Sequence, residues 1–298
     1  MTTESATAGV TPNPFEDGVP FSTKLAELAQ QLPDKAAVTV VALDGTAQTL
    51  TFAELDAGAN QWGRALAASG AQTGSLVALA IPNSQHLTLA TLGCWKIGAV
   101  PIPMHWDLPE WERDRVREVI NPAVVVDENT RWELDARAAG ESRGPLPEAV
   151  SPAANGICSS GSTGVPKVIL TLAPSLWIPQ QGEPFLSNWT PVAKPQTILV
   201  PAPMYHTNGF ATFLMLLSGD HLVILEKFDA AVFVDTIERY RITNFTATPT
   251  MLARIAALPD IRDRDFSSVV FVLQGAAVMP PSLLHTWFEL LSPEKIVT

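Results

Sequence analysis

Short apolar runs alternate with amphipathic helical stretches along nearly the whole chain, and this alternation narrows the possible folds more than any other feature. Ala37–Leu43 and Leu76–Ile81 read as strands, the second stopped by Pro82. Between them Thr51 opens a helix, with Glu54 three residues on to complete a capping box. Leu55, Ala59, Trp62 and Leu66 then recur at i, i+4, i+7 and i+11, which is one helical stripe. Residues 84–97 and 109–120 predict two more helices, and 99–103 and 123–127 two extended segments. Strand–helix–strand succession requires crossover connections and leads to a mostly parallel sheet.

A Pro- and Gly-rich break runs from Gly140 to Pro152, and the Pro- and Gln-rich stretch 172–196 reads as a long loop. The rhythm then resumes. Strands are predicted at 197–200, 221–225, 243–247, 269–273 and 295–298, with helices near 209–218, 230–240, 249–257 and 280–291. The expected fold is α/β, with two wound βα subdomains and mostly parallel sheets. Residues 1–20 form an N-terminal tail, 21–150 the first subdomain, 151–196 a hairpin with a long loop, and 197–298 the second subdomain.

Hydrophobic residues make up 47% of the 298 positions and charged ones 16%, as in a well-packed globular protein. A net charge of −11 argues against nucleic acid or an anionic membrane as general partners. Cys94 and Cys158 belong to no metal-spaced cluster and read as free thiols of a reducing cytoplasmic compartment. No signal peptide is visible in residues 1–20, and no apolar run is long enough to span a membrane.

Chemistry concentrates in Ser159-Ser160-Gly161-Ser162-Thr163-Gly164-Val165-Pro166-Lys167. Glycines allow close backbone approach to a bulky anion, while backbone N–H groups, hydroxyls and an ammonium are what a polyphosphate requires. A flexible, solvated Ser/Gly loop fits the same residues. The segment is not a Walker A loop, because Lys167 follows Pro166 and precedes Val168. The flanks Ile157-Cys158 and Val168-Ile169-Leu170-Thr171 are β-prone, so the loop is expected at the tip of a strand–loop–strand hairpin.

In open α/β sheets ligands bind beyond the carboxyl ends of the strands. That rule selects Pro203-Met204-Tyr205-His206-Thr207-Asn208-Gly209-Phe210, then Thr248-Pro249, then Gln274-Gly275-Ala276-Ala277-Val278-Met279-Pro280. His206 could orient a carboxylate or phosphate, or could simply pack at a strand–helix junction. The small Gly275-Ala276-Ala277 turn could receive a flat ring, or be a close-packed turn. His86, His105, His221 and His285 lack ligand spacing and read as structural or surface residues, and Trp177 and Trp189 as loop packing. Phe210, Phe213 and Met279 suit an apolar pocket and a core equally well.

The loop resembles the signature of the adenylate-forming superfamily, Ser/Thr-Ser-Gly-Ser/Thr-Thr-Gly-x-Pro-Lys, at every specified position. Leu50-Thr51-Phe52-Ala53-Glu54-Leu55, Ala80-Ile81-Pro82-Asn83-Ser84, Trp95-Lys96-Ile97-Gly98-Ala99-Val100-Pro101-Ile102-Pro103 and Tyr205-His206 resemble further landmarks of its acyl-CoA synthetases, over nearly all of residues 20–298. Gln274 stands where the resembling Gly-Gly-Ala-Pro pattern has its first Gly, and Val278 where it has Pro.

The resemblance implies an ATP-dependent acid–CoA ligase that converts a carboxylate to an acyl-adenylate and then to a thioester. ATP, Mg²⁺ and coenzyme A are the implied cofactors. A hydrophobic carboxylic acid is the implied substrate, with fatty, bile or steroid acids the nearest impression. Catalytic roles fall on Thr163, Lys167 and His206. Nucleotide contacts fall on Ser159, Ser160, Gly161, Ser162, Thr163, Gly164, Lys167, Gly275, Ala276 and Ala277, and acid contacts on Tyr205, His206, Asn208, Gly209 and Phe210. No protein metal ligand is assigned. An adenylation domain loading a carrier protein and a non-catalytic nucleotide- or acyl-binding remnant are the alternatives. The family's Tyr-Gly-x-Thr-Glu segment and mobile C-terminal domain would fall beyond Thr298, so these residues alone are expected to turn over weakly or not at all.

Overall fold

The computed structural model describes residues 15–159, 166–182 and 192–297. Two sheets organise it. The smaller has three parallel strands in the order Val100–Pro103, Leu76–Ala80, Val124–Asp127. The larger has seven, in the order Ile296–Val297, Phe271–Gln274, Asn244–Ala247, Thr197–Val200, His221–Leu225, Ala36–Val41 and Ala47–Thr51. Every neighbouring pair in it is parallel except the last, a hairpin of Ala36–Val41 with Ala47–Thr51. The expected α/β class and mostly parallel sheets are therefore present. Strand Ala36–Val41 from the start of the chain lies beside His221–Leu225, so the large sheet draws on both ends of the sequence.

Apolar burial explains why the central strands read as unbroken hydrophobic runs. Leu222, Val223, Ile224 and Leu225 are all fully buried, with a helical layer on each face of the sheet. On one face Phe21, Trp62, Trp95, Phe210 and Phe213 form the core, with Trp95 edge-on to Phe21 at 4.7 Å. On the other, Phe233 meets Phe245 at 4.9 Å, and Trp287 donates its indole N–H to the Leu252 carbonyl at 3.2 Å. Such aromatic pairs contribute roughly 0.5–1.5 kcal/mol each beyond their area.

The helix Phe52–Ala68 starts with the predicted capping box. Glu54 N–H donates to Thr51 Oγ1 at 3.3 Å, and Thr51 N–H to Glu54 Oε2 at 2.9 Å. This helix packs on Gln85–Lys96 with backbones almost touching: a Cβ on Gly93 would lie 2.9 Å from Gly63 N. Helices Phe21–Gln31 and Arg131–Ala139 and strand Ala47–Thr51 were not anticipated from the sequence. The helix expected near 209–218 is two short pieces, Thr207–Phe210 and Thr212–Leu216, joined at Ala211. The loop expected at 172–196 contains a short strand, Leu176–Trp177, antiparallel to Val19–Pro20. Trp177 packs there under the Lys24 ammonium, 4.4 Å from its ring, whereas Trp189 lies outside the described residues. No helix among the described residues is long and apolar enough to cross a membrane.

Candidate active site

The hairpin forms as its sequence predicts. Gly156–Ser159 pairs antiparallel with Lys167–Leu170, and Ser159 stands opposite Lys167 at the open end. Ser160, Gly161, Ser162, Thr163 and Gly164 lie outside the described residues. The strands set where the loop leaves and returns. Ser159 and Pro166 line a cavity of about 180 Å³ together with Cys158, His105, Tyr205 and His206. Lys167 is exposed beside it.

Tyr205 and His206 follow strand Thr197–Val200 at its carboxyl end. The segment turns sharply, with His206 N–H donating to the Pro203 carbonyl at 3.1 Å, and His206 then begins the short helix Thr207–Phe210. Gly209 makes the turn possible, because a Cβ there would lie 2.6 Å from the Pro203 carbonyl oxygen. Phe210 is turned into the core, edge-on to Phe213 at 5.1 Å. Asn208 is exposed, and its Nδ2 lies 3.9 Å from where a Cβ on Gly275 would be. The structure thus brings the hairpin rim, the Tyr205–Asn208 segment and the Gly275–Ala277 turn into one continuous edge.

Three rings pack in a row along this edge, each tilted against the next. His105 and Tyr205 have centroids 4.6 Å apart, and Tyr205 and His206 are 4.4 Å apart. His105, read from sequence as structural, therefore belongs to the site. Its partner lies a hundred positions away in sequence, so no local spacing could reveal it. Although much of His206 reaches solvent, partial burial lowers its pKa, and the nearby His105 adds to the effect. At neutral pH the ring is neutral, able to donate from one nitrogen and accept at the other. Burial, with the charge of Asp107, raises the Tyr205 pKa, so the phenol keeps its proton. Burial pushes the Cys158 thiol up to about 11 and raises Cys94 as well, which leaves neither as a thiolate.

A larger cleft of about 760 Å³ opens on the other side of Tyr205, between the carboxyl ends of the two sheets. Its walls mix apolar groups, including Trp106, Phe228 and Met251, with three cations, Arg131, Lys227 and Arg254, and three carboxylates, Asp107, Glu128 and Glu226. Among the described residues no group of three or more His, Cys, Asp and Glu could hold a metal ion. The described side chains therefore do not form a Mg²⁺ cage.

Sequence comparison agrees with this architecture. Residues 25–298 match the family described as AMP-binding enzyme. A feruloyl-CoA synthase from an Amycolatopsis species is 28% identical over 269 residues, covering 84% of this chain and 54% of that protein. Tyrocidine synthase 1 of Brevibacillus parabrevis is 26% identical over 306 residues, covering 93% of this chain and 26% of that protein. In fold, the chain is similar to the N-terminal domain of FACL13 from Mycobacterium tuberculosis, at a TM-score of 0.73 and 21% identity, over 93% of this chain and 74% of that one. The chain spans about half the length of the feruloyl-CoA synthase. With the family matched over almost its whole length and the sheets wound as in that domain, the chain belongs to the AMP-binding enzyme family.

Proposed function

We propose that this chain carries the nucleotide and carboxylate sites of an ATP-dependent acid–CoA ligase. The observation that carries the reading is the single edge on which the hairpin rim (Ser159, Lys167), Tyr205–His206 and the Gly275–Ala277 turn meet. In the proposed reaction a carboxylate oxygen of the acid attacks the α-phosphorus of ATP. A P–O bond forms, the bond to the β-phosphate oxygen breaks, and pyrophosphate leaves. The sulfur of coenzyme A then attacks the acyl carbon and AMP departs. Neither step requires a protein nucleophile, which suits a cavity whose lining cysteine, Cys158, is protonated.

Catalysis on this reading is positioning and charge stabilisation. We assign the Lys167 ammonium and the Ser159 hydroxyl to the phosphates, with Ser162 and Thr163 given the same role from sequence alone, and neutral His206 to a hydrogen bond with the reacting carboxylate. Mg²⁺ travels with the triphosphate, and no step is assigned to it. The apolar wall of the smaller cavity, including Met104, Leu108 and Val116, favours a hydrophobic acid. We place aromatic, fatty and steroid-type acids within that class.

Transfer to a carrier-protein thiol is the second reading, favoured by the match to tyrocidine synthase 1 over 93% of this chain. Calorimetric titration with ATP, followed by mass-spectrometric detection of acyl-AMP across a panel of acids, tests the common first half. ATP binding with no adenylate from any acid would favour a purely binding role. Trapping the acyl group on coenzyme A or on a carrier protein, with the protein at the full length of its relatives, separates the two ligase readings.

A further inference from the structure

We propose that Gln274 is a positioning residue that braces the Gly275–Ala277 turn in the shape that receives the nucleotide. The proposal rests on the adenylate-forming reading of the site. Gln274 ends strand Phe271–Gln274 and is only 7% exposed. Its Nε2 donates to the Gly275 carbonyl at 3.1 Å and to the Ala277 carbonyl at 2.6 Å. The amide nitrogen has two hydrogens, so both are used, one on each side of Ala276.

Ala276 is the strained member of the turn. Its φ is 71°, in the left-handed region that a Cβ disfavours. Two hydrogen bonds from a buried amide are of the size needed to hold it there. The brace also fixes which way the turn's other groups point. In a trans peptide the C=O and the following N–H point in opposite directions. With the carbonyls of Gly275 and Ala277 drawn in toward Gln274, the N–H groups of Ala276 and Val278 face away from it. Ala276, Ala277 and Val278 are exposed on that side, and neither N–H donates to a protein acceptor among the described residues.

The result is an exposed surface edged by two amide donors that meet no acceptor among the described residues, with the Asn208 carboxamide near Gly275 at its rim. A purine ring offers a flat face and acceptor nitrogens, which is the matching chemistry. Glycine, which the resembling pattern places at position 274, has no side chain to make this brace.

The test is ATP and AMP binding by isothermal titration calorimetry on the 298-residue chain, for the parent, Gln274→Ala, Gln274→Glu and the double variant Gln274→Ala/Ala276→Gly. Gln274→Ala and Gln274→Glu should raise Kd about tenfold, the equivalent of losing one well-made hydrogen bond. Adding Ala276→Gly should recover part of that loss, because glycine adopts the left-handed conformation without help. A merely structural role would show no such rescue. Unchanged Kd in Gln274→Ala, or a loss that Ala276→Gly does not touch, overturns the proposal. The intraresidue HN–Hα NOE of Ala276, strong at positive φ and weaker at negative φ, is measured on the same samples. If the parent binds no nucleotide, the nucleotide role falls. An NOE that weakens in Gln274→Ala and Gln274→Glu but not in the parent would then show that the brace exists and that the reading of the site was at fault.

Discussion

Asn83 and Met204 are joined by a 2.8 Å hydrogen bond that crosses from one sheet to the other, with the Met204 N–H donating to Asn83 Oδ1. The same carboxamide donates from Nδ2 to the Leu225 carbonyl at 2.9 Å and to the Ala202 carbonyl at 3.1 Å. Asn83 follows strand Leu76–Ala80 of the small sheet, whereas Ala202 and Met204 lie just before Tyr205 and Leu225 ends a strand of the large sheet. One buried side chain thus sets where Tyr205 and His206 sit relative to both sheets.

Asn83→Ala should cost about 3 kcal/mol in urea denaturation, because it leaves one buried N–H and two carbonyls without their partner. Asn83→Asp should be at least as harmful. It keeps an acceptor for Met204 but turns an oxygen toward two carbonyl oxygens. A loss under about 0.5 kcal/mol in both variants would show that the sheets are positioned by packing alone.

Gly209→Ala should destabilise the chain by roughly 1–3 kcal/mol and displace the Tyr205–His206 segment. The new methyl would meet the Pro203 carbonyl oxygen at 2.6 Å and Met204 Cα at 2.9 Å, both backbone atoms that cannot swing aside. Thermal melting reads the first effect. The one-dimensional proton shifts of the His105, Tyr205 and His206 rings, whose centroids lie 4.6 and 4.4 Å apart, read the second. Parent-like ring shifts would mean that the turn relaxes elsewhere.

What could be read from the chain follows the range of the interactions. The hairpin around Ser159 and Lys167 is local, with β-prone flanks and a Gly-rich tip, so its pattern is complete within fifteen residues or so. The Thr51–Glu54 capping box is local as well. His105 and Asn83 act through partners a hundred residues or more away, and neither carries a spacing signal. Strand Ala47–Thr51 escaped because it is an edge strand with Gln48 and Thr49 facing solvent, so it lacks an alternating apolar face. Helix Phe21–Gln31 shows its stripe (Phe21, Leu25, Leu28) only once the boundary with the preceding tail is known. The shared large sheet was hidden for a further reason: periodicity identifies strands but not which sheet they join.

Lys167→Ala should weaken ATP binding about tenfold or more while changing stability by less than about 0.5 kcal/mol. The side chain is exposed at the hairpin rim, where its loss removes no buried contact, yet a charge-assisted contact to phosphate is among the stronger hydrogen bonds. Calorimetric ATP titration at two salt concentrations checks it, since the variant should lose part of the salt dependence. Parent-like affinity would mean that the hairpin is not the phosphate site.

Acid should weaken the fold through His221. Its Nε2 lies 2.9 Å from Thr39 Oγ1, which is itself 2.8 Å from Thr49 Oγ1, so the ring ties the edge hairpin to the neighbouring strand His221–Leu225. Burial, reinforced by the charge of Lys35, lowers its pKa to about 4, against an ordinary value near 6.5. The folded chain therefore binds fewer protons than the unfolded chain between these values. Stability is intact above about pH 6.5 and falls as pH drops toward 4, by up to about 3 kcal/mol. Neighbouring Asp220 works in the opposite direction. Burial raises its pKa, against the opposing Lys194 ammonium at 2.6 Å and the charge of Lys35, which favours the folded state as pH falls. The clean measurement is accordingly a difference. Urea stability of the parent minus that of His221→Gln, which keeps a polar group near Thr39 but has nothing to titrate, should decline steadily from pH 7 to pH 4.5. Parallel curves for the two proteins would show that His221 is solvated in the folded state and not the acid-sensitive group.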